Sequence, residues 1–426
     1  MKFIALYLLP LVLWLGGWGG KSVQAQSSCQ TSIDPVYWAV DVNAHININS
    51  NEEVSLKRDS IINYLWRDGG GFPASFVDAV GMDIGAWNFI NTTNYPNLQR
   101  LDIYTINMDS SFTSYVFACN PIISNNKLMI VHEGHTPFYP SGIDSTMGHY
   151  LEAGYTILYM NMPIIGPNTG PPSSAGFLHD GMAQFDSPTL NPMKFFFEPI
   201  ARSLNYALSL HTYDEVSMIG ISGGGWTASY YAAIDPRVRF SYAVAGSYPN
   251  FLRDPPCGSG YLGDYEQVTT EIAGSWTHLD LYLLAAHGEG RKHVQVINQF
   301  DPCCNGGILY QVYENHLKDR INCFNKGAFE VFLDNTHAEH KISLATLNHI
   351  STINCGSSVV LSSPAHNYTQ GYHPILSSDT ITANNKISNT ARVAFDATNA
   401  TTLLPGFEVT TSNCGSFVVK AGKGCN

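Results

Sequence analysis

A layered α/β protein, with a mostly parallel sheet covered by helices on both faces, is what this sequence predicts, and three features predict it. Short apolar runs rich in β-branched and aromatic residues recur along the middle of the chain: "KLMIVH", "YTILYMN", "EVSMIGI", "FSYAVAG", "HVQVINQF" and "AFEVFL". Most are separated by stretches of helical spacing, and strands that alternate with helices build parallel sheets buried on both sides. Beyond these, residues 370–426 lose all helical periodicity and read as short strands and polar turns, a small all-β tail.

The elements follow in order. Residues 1–25 join Lys2, an apolar run from Phe3 to Leu15 and the small-x-small ending Val23-Gln24-Ala25, the pattern of a secretory signal peptide. That run is short for a membrane span and is broken by Pro10, and no later segment approaches spanning length. Residues 26–100 form an N-terminal extension in which "RDSIINYLWRDGGGFPASFVDAV" predicts one or two short helices broken at Gly69–Gly71 and Pro73. "LDIYTIN" and "TSYVFA", joined by "MDSS", read as a hairpin. Asp144 or Ser145 is positioned to cap a helix that Gly154 ends. Pro199 should reset the helical pattern of "PMKFFFEPIARSLNYALSL", and "GGWTASYYAAI", "GGILYQVYENHLKD" and "KISLATLNHI" supply later helices. Two intervals, 162–191 and 247–290, are too long for simple connections and have the length of lids or binding loops.

Composition narrows the function. Charged residues make up 13% of the chain and the net charge is −12, so the concentrated basic surface that nucleic acid requires is missing. All nine cysteines follow residue 25; in an exported chain they imply disulfides, with an odd one left over, and without a CxxC pair there is no zinc-ribbon or thioredoxin signature.

The most informative stretch is "MIGISGGGWTA", residues 218–228. Gly220-Ile221-Ser222-Gly223-Gly224 is G-x-S-x-G between a strand pattern and a helix of small residues. A serine on such a sharp turn is exposed at the carboxyl end of the sheet, and glycines beside it prevent collision with neighbouring backbone. The N–H of Gly223 would then be available to a developing oxyanion.

Residues 101–354 resemble the α/β-hydrolases. The resemblance extends from the serine turn to "LMIVHEGH", similar to the strand end where such enzymes carry His-Gly, and to "LEAGYTILYMNMPIIGPN" and "AAIDPRVRFSYAVAG". It implies a nucleophile, an acid after the seventh strand and a histidine after the eighth. Ser222 takes the first role and Asp301, directly after "VQVINQF", the second; Asp254 and Asp264 are alternatives for the acid. "FLDNTHAEHKIS" offers His340, directly before a helical pattern, and His337 as the alternative base, while Asp334 reads as a strand-end turn residue. The resemblance further implies backbone N–H groups of Gly223 and His135 as the oxyanion hole. Glu133 departs from the usual glycine-rich version, because a carboxylate beside an oxyanion is unfavourable unless it turns away and holds the loop. A competing metal reading groups His132, Glu133 and His135 with His337, Glu339 and His340, but neither segment has H-E-x-x-H spacing. No metal or cofactor is expected.

In the tail, "LLPGFEV…GSFVVKAGKGC" resembles the stacked-strand tails of secreted bacterial proteins, which implies export or attachment to the cell surface or the secretion machinery, with Cys414 and Cys425 positioned to close the last strand. The expectation is therefore a secreted or cell-surface serine hydrolase that acts on a small-molecule or polymer ester. An oligopeptidase-like serine peptidase and a catalytically inactive surface binding module on the same scaffold are the alternatives.

Overall fold

The computed structural model describes residues 29–81, 95–135, 141–171, 179–257, 263–269, 276–354, 356–370, 372–397, 399–412 and 415–421. The expected signal peptide and the Cys414–Cys425 pair lie outside the described residues.

Nine strands form the central sheet: β1 (Ala79–Gly81), β2 (Leu98–Asn107), β3 (Thr113–Pro121), β4 (Lys127–His132), β5 (Thr156–Met160), β6 (Glu215–Ile221), β7 (Phe240–Val244), β8 (Lys292–Asn298) and β9 (Ala328–Asp334). Their order across the sheet is β1-β2-β3-β5-β4-β6-β7-β8-β9. The hairpin β2–β3 is antiparallel, as its alternating pattern and short turn require, and β3 pairs antiparallel with β5. From β5 onward every pairing is parallel.

Two apolar cores lie on opposite faces of this sheet. Along β4, Leu128 and Ile130 join one core while Met129 and Val131 join the other, the two-residue alternation of a strand buried on both sides. The helices are α1 (Pro35–Trp38), α2 (Asn51–Leu65), α3 (Ile143–Glu152), α4 (Glu198–Leu210), α5 (Gly223–Ile234), α6 (Tyr265–Thr269), α7 (His278–Ala286), α8 (Glu314–Phe324) and α9 (Leu344–Asn354). Side chains of α2, α4, α5, α7 and α8 fill the first core, and those of α3 and α9 fill the second.

Several sequence expectations shift in detail. The N-terminal extension contains one 15-residue helix, α2, because Ser50 caps it by accepting from the Glu53 N–H, and it stops at Trp66 before the glycine turn. Pro199 does reset its helix: a 3-10 turn at Pro192–Phe196 precedes α4, where the proline occupies the first turn and no N–H is lost from the ladder. The interval 247–290 is not all loop, since "HLDLYLLAA" is apolar on every side and forms α7, opened by a reciprocal cap between Thr277 and Asp280. A Cys29–Cys257 disulfide, with Cα atoms 5.4 Å apart, ties the start of the extension to that interval.

The tail begins earlier than residue 370. Strand β10 (Gly356–Leu361) is its first rung, followed by β11 (Tyr372–Ala383), β12 (Lys386–Asn389), β13 (Arg392–Ala397), β14 (Ala400–Leu403), β15 (Glu408–Thr411) and β16 (Ser416–Ala421). All their pairings are parallel, with Tyr372, Arg392 and Ser416 stacked in register. In "LLPGF", Gly406 takes a left-handed φ of 97°, and Phe407 packs against Phe395 and Phe417.

The passage where β6 turns into α5 is tightly packed backbone against backbone. A Cβ on Gly220 would stand 2.1 Å from the Gly224 carbonyl oxygen, and one on Gly224 would stand 2.3 Å from that of His132. Both contacts are with backbone, which cannot rotate away. Gly220→Ala should therefore lower the unfolding free energy by about 3 kcal/mol in chemical denaturation. Gly81→Ala, where a Cβ would meet nothing within 4 Å, should leave it unchanged.

Candidate active site

Ser222 sits at the end of β6 with φ 57° and ψ −126°, a backbone conformation that L-residues adopt only under constraint from their surroundings. Its N–H is held by the Val244 carbonyl at 2.9 Å, and its own carbonyl accepts from the Trp226 N–H at 3.0 Å, the first turn of α5. Gly134 leaves space for the side chain: a Cβ there would come within 2.8 Å of the serine Cβ and 3.4 Å of its Oγ.

Asp301 follows β8 and is 1% exposed. One carboxylate oxygen accepts from the Cys303 N–H at 2.8 Å, which orients it, and the other accepts from Nδ1 of His340 at 2.6 Å. His340 lies in the loop between β9 and α9. With Nδ1–H committed to Asp301, Nε2 is the ring's acceptor, and it is buried without a hydrogen-bond partner among the described residues. Burial alone would lower the pKa of this ring, but the hydrogen bond and charge of Asp301 outweigh it, and the net shift is upward.

His337 is engaged elsewhere. Its Nε2 lies 3.4 Å from Asp334, and its Nδ1 accepts from the Glu339 N–H. Asp334 holds the loop by accepting from the hydroxyls of Thr336, Ser343 and Thr346. Of the other candidate acids, Asp264 pairs with His135, at 2.9 Å, rather than with His340. The Asp254 carbonyl accepts from the Tyr37 hydroxyl in the N-terminal extension.

Glu133 turns back onto its own loop. It accepts from the Gly134 N–H at 3.1 Å and the Ser141 hydroxyl at 3.2 Å, while burial pushes its pKa up to about 7. The six residues of the competing metal reading do not gather into one ligand set among the described residues. His132 binds the Glu133 carbonyl, and the His135 ring packs against the backbone of Gly223, where an added Cβ would meet it at 2.6 Å.

Two groups escaped the sequence reading. Cys303 and Cys304, with sulfur atoms 2.6 Å apart, lie within 4.8 Å of a His340 ring nitrogen, and the Cys304 thiol neighbours the Ser222 side chain. Their position directly after Asp301-Pro302 was the available signal. His179 and Glu266 meet His135 from the two long insertions, and nothing in their local sequence marks them.

The sheet order is now joined to a serine after β6, an acid after β8 and a histidine after β9, with the second of the eight strands β2–β9 antiparallel to its neighbours. The fold is that of an α/β-hydrolase. Among solved structures, this hydrolase fold is similar to the acetyl xylan esterase of Paenibacillus sp. R4 at 12% identity, covering 73% of this chain and 96% of that one with a TM-score of 0.46. It is also similar to a methylesterase at 14% identity, covering 72% and 64% with a TM-score of 0.48. A third likeness is to the acylaminoacyl peptidase of Pyrococcus horikoshii, at 13% identity, covering 58% and 39% with a TM-score of 0.41. No family model matches the chain, and no curated protein matches it by sequence.

The upward shift of His340 has a kinetic consequence. A base must be neutral to accept a proton, so any turnover that uses His340 as base should show kcat/KM rising with pH along an acidic limb lying above the ordinary histidine value of 6.5. Asp301→Asn removes the charge that lifts this pKa, so the limb should move to lower pH while the plateau falls, which a pH–rate profile with an activated ester would measure.

Proposed function

We propose that the chain is an exported serine hydrolase that cleaves carboxylic esters through an acyl-enzyme on Ser222. One observation carries this reading: the His340 ring, oriented by Asp301, keeps an unpartnered Nε2 buried next to Cys304, whose other neighbour is Ser222 on its strained turn. In the first half-reaction, Nε2 takes the hydroxyl proton as Ser222 Oγ attacks the ester carbonyl. The negative charge that develops on the carbonyl oxygen is received by the N–H groups of Gly223 and His135. Collapse of the tetrahedral species returns the proton from His340 to the departing alcohol. A water, deprotonated by the same nitrogen, then attacks the acyl-enzyme and regenerates Ser222.

An ester is the substrate class that asks least of this site, because an alcohol leaves without the complete prior protonation an amine requires. The range 162–191 and the part of 247–290 before α7 would supply the acyl and alcohol contacts for a small or polymeric ester. Export is supported by the leader pattern of residues 1–25 and by the Cys29–Cys257 disulfide, which requires an oxidising compartment. The stacked-strand tail would engage the cell surface or the secretion machinery.

A fluorophosphonate probe tests the reading directly. The mature protein should gain one adduct on the peptide that carries Ser222, and Ser222→Ala should lose both the adduct and at least ~10,000-fold of kcat on an activated ester. Parallel assays with matched p-nitrophenyl esters and p-nitroanilides separate esterase from peptidase. A folded protein that takes no adduct and turns over neither panel would be a binding module.

A further inference from the structure

The second cluster at the carboxyl edge of the sheet has no part in the proton path between Asp301, His340 and Ser222. His135 Nε2 lies 2.9 Å from Asp264 Oδ2, 3.0 Å from Glu266 Oε1 and 3.1 Å from His179 Nδ1. His179 Nδ1 is in turn 3.1 Å from Glu266 Oε2. His179 and Glu266 have fully buried side chains.

Protons alone satisfy this arrangement poorly. A ring nitrogen carries one N–H, yet His135 Nε2 faces three neighbours at hydrogen-bond distance. On His179, Nε2 lies 2.9 Å from the Pro163 carbonyl, which can only accept, so the proton of the neutral ring sits on Nε2 and the lone pair of Nδ1 faces the Glu266 carboxylate. Protonating both rings at the facing nitrogens would set two N–H groups against each other across 3.1 Å. Each of these conflicts disappears if the lone pairs converge on a cation.

We propose that His135, His179 and Glu266 form a zinc site, with Asp264 adding negative charge beside the His135 ligand. Two imidazole nitrogens and one carboxylate oxygen are a borderline donor set, suited to zinc and poorly suited to calcium or magnesium, which take oxygen ligands. Tetrahedral coordination at zinc–ligand distances of about 2.0–2.1 Å separates ligand atoms by about 3.3 Å, close to the spacing here. The bond from His179 Nε2 to a backbone carbonyl is the outer-sphere contact that fixes the tautomer of a metal-binding histidine. The three ligands come from the loop after β4, the 3-10 helix His179–Phe185 and α6. Zinc would pin both long insertions to the loop that lies against Gly223. This role is structural and does not depend on the hydrolase reading.

The test uses the whole mature chain and reads metal rather than turnover. After incubation with zinc chloride and exhaustive dialysis, elemental analysis should find one zinc per chain; a chelator should remove it and lower Tm by about 10 °C, and zinc should restore both. His179→Ala and Glu266→Gln should lose the zinc, whereas the double variant Cys303→Ser, Cys304→Ser should keep it. Cobalt in place of zinc should give a tetrahedral visible spectrum without thiolate charge transfer. A wild-type chain that retains no zinc, with the same Tm in chelator and in zinc, would overturn the proposal. So would loss of the metal in the double cysteine variant, which would locate it at Cys303, Cys304 and His340.

Discussion

Backbone packed against backbone where β6 enters α5 is the contact on which the rest of the site depends. A Cβ on Gly220 would meet the Gly224 carbonyl and one on Gly224 would meet the His132 carbonyl, so neither position tolerates a side chain, and between them Ser222 is held at a positive φ it would not choose alone. Both faces of the sheet are clamped by apolar cores, which resist relaxation of that strain. Backbone packing therefore holds the serine on its turn at the end of β6.

The Asp301–His340 pair is positioned by a different principle. Asp301 and His340 belong to loops after neighbouring parallel strands, β8 and β9, whose register aligns Asn298 with Asp334 at their carboxyl ends. Parallel pairing brings those ends to the same edge of the sheet. Local hydrogen bonds do the rest: the Cys303 N–H fixes one carboxylate oxygen, and Asp334 with its three hydroxyl donors holds the loop that carries His340.

Much of this was legible in the sequence because its signals are local. The six core strands from β4 to β9 are runs of apolar residues with two-residue alternation, and the serine turn advertises itself through its glycines. Helix α7 was missed because an apolar segment buried on every side has no amphipathic period to separate it from a loop with apolar contents. The first rung of the tail was missed because "GSSVVL" is unremarkable until β11 lies parallel to it.

The sequence by itself determined the α/β layering, the identity of the turn residue Ser222 and the all-β character of the tail, since each follows from periodicity or steric need within about ten residues. Only the tertiary structure decided between His337 and His340: both lie in one short loop, and the difference is which ring the loop turns toward Asp301. The same holds for the junction of His135, His179, Asp264 and Glu266. His135, His179 and the Asp264–Glu266 pair are separated by dozens of positions, and no short-range pattern encodes a meeting that only the packing of two insertions onto one sheet edge creates.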